Sequence, residues 1–300
     1  MSEPSPISSA YLEIEFEIPS ADLAGAEAAL AAEGALTVSL TDPGGEPVLE
    51  PAPGEMPLWT SVRVSALFDA AVDAAALRAR LATAIGLAAN QVAASILAPR
   101  DWVREFRENL RPLCYGGRLW LCPGEHPCPD PTGIVLRLEP GLAFGSGSHA
   151  TTAMCLEWLT TLRLGGRSVL DWGCGSGVLA IAAVALGAAR ATALDIDAQA
   201  LIATAENAGR NNMSAALAIG HPDRLAVGDR HHVLVANILA NSLIELAPRF
   251  RAHCVAGASV AMSGILATQA AQVRACCAPQ FDLEVTAERD GWVLLAGTAI

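Results

Sequence analysis

The residues best suited to chemistry lie in one glycine-rich turn near the middle of the chain. An apolar run ends at Asp171 and continues as D-W-G-C-G-S-G, with glycines at Gly173, Gly175 and Gly177. Glycine tolerates positive φ and lets the backbone approach a ligand closely. Asp195 ends the next apolar run, 22 residues after Gly173, where a carboxylate can accept both hydroxyls of a ribose. The pattern predicts a nucleoside-binding site, with a purely structural turn as the alternative.

The spacing of the glycines bears on which nucleoside is bound. A dinucleotide site needs G-x-G-x-x-G, but here the last position of that pattern is Val178, and the glycine comes one residue early. G-x-G-x-G after an acidic strand end resembles motif I of the S-adenosylmethionine (AdoMet) methyltransferases. The position of Asp195 suits NAD as well, so an NAD enzyme remains the alternative. Asp197 is a rival for the ribose, but strand alternation points it to the other face.

Three further segments carry a more specific resemblance. They read E-P-G-L-A-F-G-S-G-S-H-A-T-T over 139–152, A-N-I-L-A-N-S-L-I-E-L-A-P over 236–248 and D-W-V-R-E-F-R-E-N-L-R-P over 101–112, the last followed by G-R-L-W-L-C-P. Together with the glycine turn, they resemble the methyltransferase family of large-subunit ribosomal protein L11. The specific resemblance covers residues 100–300, and the front of the chain agrees only in layout and length.

The resemblance implies a small front domain that docks the ribosomal protein and a class I methyltransferase domain. That domain would methylate α-amino and lysine ε-amino groups with AdoMet, leaving S-adenosylhomocysteine. Thr152 would contact AdoMet from the loop before motif I, Gly173 would line its methionine end and Asp195 would hold its ribose. Asn237 would contact AdoMet and lie where the amine arrives. The loop over residues 145–152 reads G-S-G-S-H-A-T-T, whereas the family usually has threonines and a proline there. This departure affects the stiffness of the loop.

Asn237 is the residue predicted to act in catalysis. Its side-chain oxygen can aim a neutral amine lone pair at the methyl group, which is positioning rather than strong-base chemistry. We name no general base, and water is a sufficient proton acceptor. His149 is a possible base, but a histidine in a glycine-rich loop more often orders that loop. The remaining predicted site residues are Asp171, Gly175 and Gly177 at the cofactor, and Phe144, Gly145, Gly147 and His149 in the nearby loop.

Hydrophobic periodicity predicts two domains joined by a helix. Residues 1–98 have the order β-α-β-β-α-β of a small α+β ferredoxin-like domain, and residues 99–112 form a charged linker helix. Residues 113–300 alternate strands and helices, which predicts a class I, Rossmann-like α/β domain with a mostly parallel, doubly wound sheet. The predicted strands are 11–18, 35–40, 59–68, 92–97, 118–121, 133–138, 168–172, 191–195, 232–236 and 256–262. The predicted helices are 21–33, 72–85, 101–111, 151–163, 178–188, 198–211 and 239–251.

Charge and composition limit the kinds of partner and ligand that the chain is expected to bind. The net charge is −12, and residues 1–98 hold 13 acidic residues against 3 arginines, a net −10. This argues against direct nucleic-acid binding; the acidic front domain either steers in a basic protein or serves solubility alone. No C-x-x-C occurs, and the cysteines and histidine of C-P-G-E-H-P-C over 122–128 lack a second pair of ligands, so we expect no metal.

The remaining expectations concern location and assembly. The sequence has no run of 18 apolar residues and no basic stretch followed by an apolar one near its start, which favours a cytoplasmic protein without membrane contact. We also expect a monomer. Two alternatives to the L11 methyltransferase stay open. One is an AdoMet-dependent methyltransferase of another protein, an RNA or a small amine. The other is a non-catalytic AdoMet-binding assembly factor that has retained the fold.

Overall fold

The computed structural model describes residues 10–44, 58–98, 111–124, 126–138 and 147–300. The chain divides into two compact units, residues 1–106 and 107–300. The division falls inside the segment predicted as a linker helix, but residues 99–110 of that helix lie outside the described residues. No helix among the described ranges is long and apolar enough to cross a membrane.

The first unit has the predicted β-α-β-β-α-β order. Its strands pair antiparallel in the order β2-β3-β1-β4. In β1, the apolar side chains at every second position are buried beneath the helices, and the alternating glutamates face the other way, as the period of a strand requires. The elements are β1 (Tyr11–Pro19), α1 (Leu23–Ala32), β2 (Thr37–Thr41), β3 (Ser61–Asp69), α2 (Ala74–Ile85) and β4 (Ala93–Leu97).

The second unit holds a three-stranded and a seven-stranded sheet. The small sheet consists of β5 (Leu113–Tyr115), β6 (Leu119–Pro123) and β7 (Ile134–Leu138). The strands of the large sheet are β8 (Ser168–Trp172), β9 (Arg190–Leu194), β10 (Leu217–Gly220), β11 (His231–Asn237), β12 (Cys254–Leu266), β13 (Phe281–Arg289) and β14 (Trp292–Ala299). The helices are α3 (Ala150–Thr161), α4 (Val178–Ala185), α5 (Ala198–Arg210), α6 (Ala240–Ala252) and α7 (Ala270–Cys277).

The large sheet has the order β10-β9-β8-β11-β12-β14-β13. The first five strands are parallel, and β14 lies antiparallel between β12 and β13. The prediction of a mostly parallel sheet is therefore confirmed. A dinucleotide-binding sheet has the order 3-2-1-4-5-6, whereas here the seventh strand is inserted before the sixth. The topology thus disfavours the NAD alternative on grounds independent of the glycine spacing.

Two apolar cores cover the two faces of this sheet, and β8 is one of its interior strands. Val169 belongs to one core and its neighbour Leu170 to the other. All five residues of β8 are buried, which explains why its apolar residues, Val169, Leu170 and Trp172, do not follow the alternation of a strand with one exposed face. The sequence patterns predicted neither β5 nor β10 and no element after residue 262. The structure therefore adds β5, β10, β13, β14 and α7 to the predicted elements.

Candidate functional site

The candidate site lies where β8, β9 and β11 end. Trp172 of β8 pairs with Leu194 of β9 on one side and with Ala236 of β11 on the other. The glycine turn, Asp195 and Asn237 follow or end these strands. Because parallel strands share a carboxyl edge, the three features come together there, which is where ligands bind in open α/β sheets.

The glycine turn adopts a backbone that glycine permits and other residues resist. Gly173, Gly175 and Gly177 have φ of 78°, 53° and 79°. A Cβ on Gly173 would collide with the side chain of Ile238. The N–H groups of Gly173 and Cys174 donate to the Leu194 carbonyl at 2.8 and 2.9 Å. The turn is therefore fastened to β9, and the Ile238 side chain fills the space that a Cβ on Gly173 would need.

Asp195 is held by the turn itself. Its Oδ2 accepts the Gly175 N–H at 2.9 Å, and its Oδ1 accepts the Asp197 N–H at 3.0 Å. Asp197 instead caps α5, its carboxylate accepting the Gln199 N–H at 2.9 Å. An aspartate in this position satisfies a free N–H of the first helical turn. The structure thus gives the two aspartates different tasks and leaves Asp195 as the carboxylate beside the glycine turn.

Asp171 lies beneath the turn and is fully buried. Its Oδ2 accepts the Ala180 N–H at 3.0 Å, and its Oδ1 has no hydrogen-bond partner among the described residues. Burial raises the pKa of Asp171 to about 7; the Ala180 N–H opposes that shift, and the charge of Asp195 adds to it. A buried, half-satisfied carboxylate next to a ligand turn is a common mark of a functional site.

Asn237 and Thr152 come together although 85 residues separate them. The Asn237 amide Nδ2 donates to Thr152 Oγ1 at 3.2 Å. This bond orients the amide and directs its carbonyl oxygen, Oδ1, away from Thr152. The structure places Thr152 in the first turn of α3, where it is buried, rather than in the preceding loop.

The loop residues fall into two groups. Phe144 and Gly145 lie outside the described residues. Gly147 has φ of 89°, and its carbonyl accepts the Tyr115 hydroxyl at 2.9 Å. His149 caps α3: its Nδ1 accepts the Thr151 N–H at 3.4 Å and lies 2.8 Å from Thr151 Oγ1. These contacts favour the ordering role of His149 over a base.

Cys174 is a spacer within the turn. It is buried, and its Sγ lies 3.4 Å from Thr204 Oγ1. Burial, with the charge of Asp171 as a smaller contribution, raises the pKa of this thiol well above its ordinary range. A thiol that stays protonated is a poor nucleophile, so the chemistry does not pass through Cys174.

The residues that support the turn from other elements were not predicted from the sequence. Thr204 and Asn207 of α5 bond to its carbonyls, and Ile238 packs against Gly173. Thr204 and Asn207 lie on the buried face of α5, three residues apart. Two polar residues three positions apart, on a helix face whose other residues are small and apolar, are a sequence signal from which they could have been predicted.

These residues fit AdoMet. The glycine backbone of the turn can lie close to a methionine tail, and Asp195 supplies acceptors for ribose hydroxyls. Beneath the turn, Asp171 keeps a buried polar atom, Oδ1, without a hydrogen-bond partner among the described residues. Within the described residues, no group of three or more histidine, cysteine, aspartate or glutamate side chains is arranged to hold a metal ion.

Comparisons with known proteins identify relatives of nearly the whole chain. The ribosomal protein L11 methyltransferase family (PrmA) matches residues 10–299. The enzyme of that name from Pseudomonas aeruginosa strain LESB58 is 44% identical over 292 residues, 96% of this chain and 98% of the relative. The one from Shewanella amazonensis is 44% identical over 266 residues, 88% of this chain and 90% of the relative.

A solved structure extends the likeness to the fold. The ribosomal protein L11 methylase from Lactobacillus delbrueckii subsp. bulgaricus superposes with a TM-score of 0.57 at 31% identity, covering 62% of this chain and 97% of that one. The match along the sequence is nearly complete, and the glycine turn, Asp195 and Asn237 lie within the matched residues. This chain belongs to the ribosomal protein L11 methyltransferase family.

Proposed function

We propose that this chain is an AdoMet-dependent protein N-methyltransferase acting on the α-amino group and lysine ε-amino groups of ribosomal protein L11. The observation that carries the proposal is the meeting of three features at one sheet edge. A glycine turn, the Asp195 carboxylate and the Asn237 amide lie together in a chain whose family is named for that substrate.

Each residue has a role that follows from its chemistry. Asp195 accepts the ribose hydroxyls of the cofactor, and the backbone of Gly173 lines the methionine end. When bound, AdoMet supplies a methyl group on a positively charged sulfur. The amine nitrogen would take this methyl group as its bond to sulfur breaks, leaving S-adenosylhomocysteine. Ile238 closes the side of the turn that faces β11.

Asn237 aims the amine. Its Nδ2 is engaged by Thr152, so its Oδ1 accepts an N–H of the incoming amine and directs the nitrogen lone pair. The amine must be neutral to react, which is easier for an α-amino group with pKa near 7.7–8.0 than for a lysine near 10.4. Asn237 has no basic group, so water accepts the protons that the amine releases. Positioning of this kind is a recognised source of rate enhancement.

The front unit is proposed to dock the substrate. Glutamates at alternate positions of β1 lie on the sheet face opposite its apolar core, and residues 1–98 carry a net −10. Proteins that bind ribosomal RNA carry positive charge to contact phosphates, so electrostatic attraction favours their encounter with this unit. We place the enzyme in the cytoplasm, where ribosomal proteins are made, and propose that it acts as a monomer.

Mass spectrometry of isolated large-subunit ribosomal proteins tests the proposal directly. After incubation with the enzyme and AdoMet, we expect whole-methyl mass increments confined to L11, and peptide mapping then gives the modified amines. The Asn237→Ala variant is the matched control and should leave L11 unmodified at equal times. Increments on another ribosomal protein would make that protein the substrate in place of L11. AdoMet binding without any methylated product would favour the assembly-factor alternative.

A further inference from the structure

Helix α5 reaches back to the glycine turn with two buried side chains. Thr204 Oγ1 donates to the Gly175 carbonyl at 2.9 Å, and Asn207 Nδ2 donates to the Ser176 carbonyl at 2.9 Å. Thr204 is 0% exposed and Asn207 3% exposed. Two consecutive peptide groups of the turn are therefore bonded to a single helix.

The same helix is also tied to the ribose side of the site. Asp197 caps α5, and its N–H donates to Asp195 Oδ1. Asp195 Oδ2 in turn accepts the Gly175 N–H. The contacts form a closed ring that runs from Asp195 through Asp197 and α5 to Thr204, then to Gly175, and back to Asp195.

Gly175 is the member of the ring that most needs such support. Glycine has more backbone freedom than any other residue, and Gly175 sits at φ of 53° with no side chain to hold it. Its N–H is fixed by Asp195 and its carbonyl by Thr204, so both peptide planes around it are set. Thr204 also fills the space beside the turn, because a Cβ on Gly177 would lie 2.7 Å from its methyl carbon.

We infer that Thr204 and Asn207 are positioning residues for AdoMet binding, holding the turn at Gly175 and Ser176 so that Asp195 meets the ribose in a preset orientation. Neither residue is required to touch the cofactor. A site whose groups are fixed in advance loses less entropy when ligand binds. This inference rests on the proposed AdoMet site and is independent of which amine is methylated.

Calorimetric titration of AdoMet into four variants tests this role. Thr204→Val keeps the shape of the side chain and removes the donor; Asn207→Ala removes the second donor; Thr204→Ser restores the hydroxyl. Thr192→Val is the matched control, because Thr192 is a buried threonine of β9 whose hydroxyl bonds His231 Nε2 at 3.0 Å, within the strand rather than at its carboxyl edge. Thermal melts of every variant report folding.

We expect Thr204→Val and Asn207→Ala each to raise the Kd for AdoMet about tenfold, the scale of one lost hydrogen bond. KM for AdoMet should rise in step, while kcat at saturating AdoMet changes less. Thr204→Ser should bind like wild type, and Thr192→Val should lose stability with an unchanged Kd. The inference is wrong if the AdoMet Kd of Thr204→Val lies within twofold of the wild-type value, or if the Kd of Thr192→Val rises as much as that of Thr204→Val. Either result leaves the proposed function standing. A wild-type chain that binds no AdoMet overturns the proposed function as well.

Discussion

Asp171→Asn should change how the stability of the second unit depends on pH. In the wild type, the folded state holds the Asp171 proton with a pKa of about 7, against an ordinary value of 3.8. As pH rises between these values, the unfolded chain gives up the proton first, so folding loses stability over that range. Because asparagine does not ionise, the stability of the variant does not fall with pH in this way.

The size of the effect follows from the shift. About three pKa units at roughly 1.4 kcal/mol each amount to about 4 kcal/mol, of which roughly 3 kcal/mol falls between pH 5 and pH 8. Asparagine keeps an oxygen for the Ala180 N–H but places an amide donor where Oδ1 has no partner among the described residues. That donor costs about 1–3 kcal/mol at every pH. This cost lowers the unfolding free energy of the variant by the same amount at every pH and does not change its dependence on pH.

Urea unfolding at a series of pH values between 5 and 8 measures the difference. Amide exchange read by mass spectrometry on peptides from β8 and β11 reports the second unit and excludes the front one. The unfolding free energy of the variant minus that of the wild type should increase by roughly 3 kcal/mol from pH 5 to pH 8. A difference that stays constant over this range would refute the buried, protonated state of Asp171.

Four further predictions concern the site and the partner. Asp195→Ala should raise the Kd for AdoMet about 100-fold, the scale of two hydrogen bonds to a charged group; unchanged affinity by calorimetry would remove Asp195 from the site. Asn237→Ala should lower kcat more than AdoMet affinity, and an equal loss of both would leave it a cofactor residue only. Gly173→Ala should abolish AdoMet binding because of its collision with Ile238, whereas Gly187→Ala, with φ of 106° and open space around it, should cost stability alone. KM for L11 should rise with added salt, because screening weakens attraction to the acidic front unit; a KM that is flat with salt would contradict steering.

Local patterns were sufficient for the elements that carry the site. Alternation in β1, the buried Val169 and Leu170 of β8 and the acidic residue directly after β9 are local features, which the neighbouring residues reveal by themselves. The F-D-L-E-V alternation of β13 was a usable signal of the same kind. Its pairing with β14, and the insertion of β14 beside β12, depend on contacts between distant residues.

The sequence by itself determined the order of elements in the front unit, the glycine turn and the choice of Asp195 over Asp197, because strand period and glycine conformation are local properties. Only the tertiary structure decided that Thr204 and Asn207 hold the turn, that Thr152 meets Asn237 across 85 residues, and that Asp171 is buried with one oxygen unpartnered among the described residues. Hydrogen bonding and desolvation depend on which distant groups surround a side chain, and the packing of α3 and α5 against the sheet is what brings those groups together.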